Sequence, residues 1–247
     1  MDLLVAESVS VKFGGNMAVI DASVNVAAGE VTGLIGPNGA GKTTLFNVLN
    51  GLQSPVAGKV LLNGIDITRA APHERAQRGL ARTFQRIELF GSLTTRENLQ
   101  VAAEIKRSFG NQDQESAAKR VDDTIEFVGL GAFADTRADV LTTGQARMVE
   151  LGRALVTKPK VLLLDEPASG LDADETDVFA GLLAALAAQG LAILIVEHDI
   201  PLVMRACDRI SVLDLGRIIA VGTPTEIQHD PKVIEAYLGS PVDAGQG

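Results

Sequence analysis

The run Gly36-Pro37-Asn38-Gly39-Ala40-Gly41-Lys42-Thr43, in its setting, constrains the fold of this chain more than any other feature. An unbroken apolar run, Val31 to Ile35, leads into it. Behind it Leu45, Phe46, Val48, Leu49 and Leu52 line one side of an expected helix. Strand, glycine loop and helix in that order form the unit of a parallel α/β sheet. Glycines let successive backbone N–H groups curl around an anion, and the helix N-terminus adds a positive dipole. Lys42 can neutralise β/γ-phosphate charge, and Thr43 can offer a hydroxyl to Mg²⁺. Gly36 to Thr43, with Thr44, are therefore candidate phosphate-binding residues. A ligand-free glycine turn is the plain alternative, and the strand, the spacing and the Lys-Thr pair all argue against it.

A second apolar run, Val161 to Leu164, ends in Asp165-Glu166-Pro167 and presents two carboxylates where α/β proteins place their ligands. Asp165 is the candidate Mg²⁺ ligand, directly or through water, and Glu166 the candidate base for an attacking water. Taken alone, the pair could equally be an acidic turn. Leu191 to Val196 is a third such run, and strands this apolar imply a parallel sheet covered on both faces.

Leu3 to Phe13, Met17 to Val26, and Lys59 to Leu62 before Asn63-Gly64 read as an antiparallel edge sheet. Thr95 to about Arg153 is helical in pattern, with Leu99, Ala102, Ala103 and Ile105, then Val121, Ile125 and Val128, at helical spacing. The expected architecture is a P-loop NTPase-type α/β domain in one unit. Residues 1–94 and 154–240 form its catalytic core with the β subdomain, 95–153 an inserted helical subdomain, and 241–247 a tail. Thr223 and Glu226 form a capping box with Pro224 at the first helical position, opening a last helix expected to run to Tyr237-Leu238.

A chain of 247 residues can bury one sizeable core, and 46% apolar with 21% charged residues excludes a disordered chain. The formal charge of −9 has the wrong sign for a phosphate-backbone binder, so no nucleic acid partner is expected. Cys207 is the sole cysteine, which rules out an internal disulfide and suits a reducing cytoplasm. The start lacks the pattern of a secretory signal. Val178 to Val196 approaches membrane-span length, but Gln189-Gly190 reads as a helix stop dividing two buried elements.

Phe13, the glycine loop, Gln85, Leu141-Thr142-Thr143-Gly144-Gln145, Asp165-Glu166, Ser169-Gly170-Leu171-Asp172 and His198 occur in an order that resembles the ATP-binding subunits of ABC transporters. The resemblance covers nearly the whole chain, and the LTTGQ segment is its most specific part. It implies that the cofactors are ATP and Mg²⁺. Phe13 would stack on adenine, against the alternative of a core aromatic. Gln85 would reach Mg²⁺ and the water, and His198 would touch the γ-phosphate and support Glu166; a lone Gln is otherwise a surface residue and a lone His a structural one. Thr142, Gly144 and Gln145 would cap the γ-phosphate of a partner subunit, and they also suit a helix cap. Thr143 stands where the family has glycine, and its Cβ could crowd that approach. By the same resemblance Asp172 would belong to a loop that crosses the dimer interface, against the alternative of a turn that caps the next helix. The implied partners are a second copy or a homologous ATPase subunit, transmembrane permease subunits and, indirectly, a solute-binding protein, at the cytoplasmic face of the inner membrane.

Ala81-Arg82-Thr83-Phe84-Gln85, Leu89-Phe90, Glu97-Asn98-Leu99, Glu197-His198-Asp199 and Val233 to Gly239 resemble the subunits that energise uptake of branched-chain and other hydrophobic amino acids. Urea or amide uptake, lipopolysaccharide export and a non-transport ABC ATPase are the alternatives. Ile87 to Leu93 is the expected landing surface for a helix of the membrane partner, unless Leu89 and Phe90 pack inward.

Overall fold

The computed structural model describes residues 1–83, 87–108 and 116–238. Two sheets share its core. Strands β1 (Asp2–Phe13), β2 (Asn16–Ala27), β4 (Ala57–Leu62) and β5 (Ile65–Asp66) form an antiparallel sheet of order β2-β1-β4-β5. The second sheet has the order β10-β9-β3-β8-β7-β6, from β3 (Val31–Ile35), β6 (Leu80–Arg82), β7 (Val161–Asp165), β8 (Ala192–Val196), β9 (Arg209–Asp214) and β10 (Arg217–Gly222). All its pairings are parallel except the β9–β10 hairpin at one edge.

Alternate side chains of the central strands divide between two cores. Val161 and Leu163 of β7, with Ala192, Leu194 and Val196 of β8, face a cluster that contains Leu45, Phe46, Val48 and Leu49 of helix α1 (Lys42–Asn50) and reaches the antiparallel sheet. Leu162, Leu164, Ile193 and Ile195 face the opposite cluster. That cluster draws on α5 (Thr143–Leu155), α6 (Ala173–Ala188) and α7 (Ile200–Ala206). A two-residue period with both faces covered explains why these strands read as continuous apolar runs. Helices α3 (Thr95–Ser108) and α4 (Ala117–Phe127) pack with α5 as a helical layer, and Leu99 lies against Gly152.

Several local expectations need correction. Leu52 lies beyond α1, which Gly51 ends in a left-handed cap, and it is exposed. Ile105 is also exposed, although Leu99 and Ala103 beside it are fully buried. The last helix is two: α8 (Pro224–His229) and α9 (Pro231–Leu238), parted at Asp230. Pro231 has no N–H to continue α8 and forces Asp230 to an extended ψ of 120°. Strands β6, β9 and β10 were not anticipated. The Gln189-Gly190 stop stands as expected, since α6 ends there and β8 follows.

Arg75, on α2 (Pro72–Gln77), is 1% exposed and closes the far end of α1. Its Nη1 donates to Val48 O and Leu49 O, both at 2.7 Å, its Nε to Ala70 O at 3.0 Å, and its Nη2 to Thr68 O at 3.1 Å. A Cβ on Gly51 would lie 2.7 Å from Nε, so the glycine at this cap also makes room for the guanidinium. Burial pulls its pKa down to about 10, which leaves it charged at neutral pH and opposite the negative end of the α1 dipole. Arg75→Ala should destabilise the protein by about 3 kcal/mol, read by urea denaturation, because buried carbonyls lose a charged donor.

Candidate functional site

Backbone contacts from outside hold the loop between β3 and α1. Gly36 has φ 152°, Gly39 78° and Gly41 106°, conformations that side chains resist. A Cβ on Gly36 would lie 1.9 Å from Leu213 O of β9, and one on Gly41 2.5 Å from Ala18 O of β2. The β9–β10 turn completes the grip: Gly216 N–H donates to Ala40 O at 2.9 Å, and Ile20 N–H to Gly216 O at 2.7 Å. Tyr237 of α9 presents its hydroxyl to the Gly36 N–H, and burial pushes that phenol up.

Within this frame Lys42 turns back across the loop, donating to Gly36 O at 2.6 Å and Pro37 O at 2.9 Å. Burial lowers its pKa, and the Glu166 carboxylate acts the other way. The first backbone bond of α1 is Leu45 N–H to Gly41 O, so the N–H groups of Lys42, Thr43 and Thr44 stand at the open N-terminus. Thr43 is exposed there. Phe13 is 53% exposed, which removes the core alternative. It sits at the β1–β2 turn, and β2 continues to the Ala18 carbonyl beside Gly41.

The acidic pair stands at the C-terminal end of β7. Asp165 has a pKa raised to about 6, chiefly by burial and then by Glu166, against the pull of Arg82. Glu166 adopts φ 46°, a left-handed conformation costing about 1 kcal/mol in a residue with a side chain. Glu166 acts on Lys42 through its charge and stands beside His198. His198 Nδ1 lies 3.7 Å from Glu166 Oε1. The structure thus brings Lys42, Asp165, Glu166 and His198 to one edge of the parallel sheet. Gln85 lies outside the described residues.

The remaining candidates sit apart from the loop. Thr142 and Gln145 cap α5 reciprocally, Gln145 N–H to Thr142 Oγ1 at 3.2 Å and Thr142 N–H to Gln145 Oε1 at 3.0 Å. Asp172 does the same for α6 with Glu175. The two caps pack together: a Cβ on Gly144 would meet Glu175 Oε1 at 2.1 Å, and one on Gly170 would meet the Thr143 methyl at 2.8 Å. Within the chain, therefore, Thr143 is accommodated by the missing side chain of Gly170. Two groups entered the sequence reading only as members of the resembling segments, with no role of their own: Glu197, 1% exposed just after β8, and Tyr237. An acidic residue closing an apolar run was the available signal for the first.

The sequence pattern described as "ABC transporter" matches residues 19–169. The chain belongs to the ABC transporter family. A second pattern, described as "Branched-chain amino acid ATP-binding cassette transporter", matches residues 217–243 of this ABC cassette. It is 38% identical to the high-affinity branched-chain amino acid transport ATP-binding protein BraF of Pseudomonas aeruginosa, over 96% of this chain and 98% of that one. It is 36% identical to the lipopolysaccharide export system ATP-binding protein LptB of Haemophilus influenzae, over 97% and 98%. A solved ADP conformation of MJ1267, an ATP-binding cassette of an ABC transporter, superposes with TM-score 0.87 at 34% identity, covering 97% of this chain and 99% of that one. The ABC cassette is accordingly an ATP-binding protein and an ATPase.

The raised Asp165 pKa has a stability consequence. Between the ordinary value of 3.8 and about 6, the folded cassette binds more protons at this site than the unfolded chain does. Stability from the site is full below that window and falls as pH rises through it. Asp165→Asn should raise the Tm of the nucleotide-free protein above pH 6 and flatten the difference below; scanning calorimetry across pH reads both.

Proposed function

We propose that this ABC ATPase energises an importer of branched-chain and other hydrophobic amino acids. The match of residues 217–243 to the branched-chain amino acid pattern carries the reading. The similarity to BraF supports it; overall identity to the export ATPase is nearly as high, so the C-terminal match is what favours uptake. The same reading divides the chain into a core of residues 1–94 and 154–240 and a helical subdomain of 95–153, although α5 itself runs on to Leu155.

In this reading Gly36 to Thr44 cradle the ATP phosphates with the open N–H groups of α1, and the Lys42 ammonium would leave Gly36 O and Pro37 O to neutralise the β- and γ-phosphates. Phe13 offers its exposed ring to the adenine. Thr43 and Asp165 suit Mg²⁺, because they supply hard oxygen donors. Bound there, Mg²⁺ supplies charge neutralisation at the phosphates.

Glu166 accepts a proton from the water that attacks the γ-phosphoryl group, while the bond to the β–γ bridging oxygen breaks and releases ADP and phosphate. His198 stands beside that carboxylate, its Nδ1 3.7 Å from Glu166 Oε1, and would reach the γ-phosphate from there. Thr142, Gly144, Gln145 and Asp172 serve the site of a second cassette, either another copy or a homologue. In favour of this, Thr142 and Gln145 cap α5, Asp172 caps α6, and Gly144 packs against Glu175 of that second cap, so the four form one cluster.

Among the described residues no helix is long and apolar enough to cross a membrane. We assign the pathway to permease subunits, with a solute-binding protein acting through them, and the cassette to the cytoplasmic membrane face. The permease helix lands near Phe90, which is 47% exposed, while Leu89 packs on the core. Arg153 lies 5.1 Å over the Phe90 ring, and Asn98, fully buried, bonds both Phe90 N–H and Phe90 O.

Glu166→Gln should abolish turnover and trap an ATP-bound dimer, since phosphate and Mg²⁺ contacts survive the loss of the base. Size-exclusion chromatography with ATP reads it, and a purely monomeric profile counts against the shared site. Cells lacking the cassette should lose uptake of labelled leucine and regain it with the wild-type chain. Phe90→Asp should fold and hydrolyse ATP alone yet fail to restore uptake. Undiminished leucine uptake without the cassette would overturn the solute assignment.

A further inference from the structure

Glu197 joins two turns that carry different parts of the candidate chemistry. It follows β8 directly, is 1% exposed, and its two oxygens take different backbone partners. Oε1 accepts the Ala168 N–H at 2.9 Å, just past Glu166 and just before the Ser169–Asp172 loop. Oε2 accepts the N–H groups of His198 at 3.0 Å and Asp199 at 3.2 Å. The His198 ring nitrogen Nδ1 is 3.8 Å from Oε2, too far for a hydrogen bond, so the link to His198 runs through its backbone.

A carboxylate buried this deeply is costly unless charged or polar partners compensate it. Here three backbone donors do so, and charge-assisted bonds of this kind are among the strongest a backbone can make. Capping the end of a strand needs no such group. What this side chain adds is a fixed relation between residues 166–168 and residues 198–199. Glu166 N–H donates to Val196 O at 2.8 Å, so the two turns are tied once through the ladder and again through Glu197.

We propose that Glu197 is a positioning residue for hydrolysis, holding His198, Glu166 and the entrance to the Ser169–Asp172 loop in one register. The inference rests on the reading of Glu166 and His198 given above. It predicts that loosening the link lowers turnover without weakening ATP binding, because the phosphate loop hangs from β3, β2 and the β9–β10 turn instead. A misplacement of about 1 Å near reacting groups can cost on the order of a hundredfold in rate.

Glu197→Gln is the informative change. The amide keeps one acceptor and turns a donor towards the other set of N–H groups, so one turn is released without opening a cavity. ATPase kinetics would be measured for Glu197→Gln, His198→Ala, the double variant and Glu166→Gln, with ATP affinity by calorimetry and Tm for each. The expected result is a kcat lower by roughly tenfold or more, an ATP affinity within about twofold, and a combined loss in the double variant clearly smaller than the product of the Glu197→Gln and His198→Ala losses. A kcat near wild type, or losses that simply multiply in the double variant, overturns the inference. Normal turnover in Glu166→Gln would instead sink the underlying functional reading. If Glu197→Gln does not fold, Glu197→Asp, with its charge kept and its reach shortened, carries the same comparison.

Discussion

Backbone pressed against backbone at the ends of β3 and β9 is the contact on which the rest of the site depends. Gly36 meets Leu213 O so closely that no side chain fits, Gly41 meets Ala18 O in the same way, and Gly216 bonds across to Ala40. The loop is therefore held by both sheets at once, and α1 leaves the N–H groups of Lys42, Thr43 and Thr44 free of helix bonds at its end. That preorganisation lets one flexible lysine and the start of one helix act on a single charged target. It also separates two groups of candidates: the glycine loop hangs from β3, β2 and the β9–β10 turn, whereas Asp165, Glu166 and His198 follow β7 and β8.

The sequence revealed this core because the same physics acts locally. Val31 to Ile35, Val161 to Leu164 and Leu191 to Val196 are covered on both faces, so each shows as an apolar run wherever it lies in the fold. Strand β9 carries Ser211 amid Ile210, Val212 and Leu213, and β6 is three residues long, so neither gives a run that stands out. The turn joining β9 and β10 uses Leu215 at φ 44°, where Asn or Gly would have signalled a hairpin. The break between α8 and α9 was legible in Asp230-Pro231, but the capping box at Thr223 and the apolar spacing beyond it drew the helix through. Glu197 illustrates the harder limit, since its partners at 168 and 198–199 meet only once the sheet has formed.

Thr143 shows how a departure from a family pattern can be internally compensated. Its extra methyl lies over Gly170, in a loop that already needs glycine for its φ of 84°. The two positions act as a size-matched pair joining the caps of α5 and α6. A change at one should be judged with the other, and Gly144, pressed on Glu175, leaves little freedom between them.

Tyr237 is the only tyrosine of the chain, and there is no tryptophan. Its hydroxyl faces the Gly36 N–H from the last described helix. The unmodified cassette thus carries its one strong ultraviolet chromophore beside the glycine loop, which makes its intrinsic emission a label-free optical reporter of that loop.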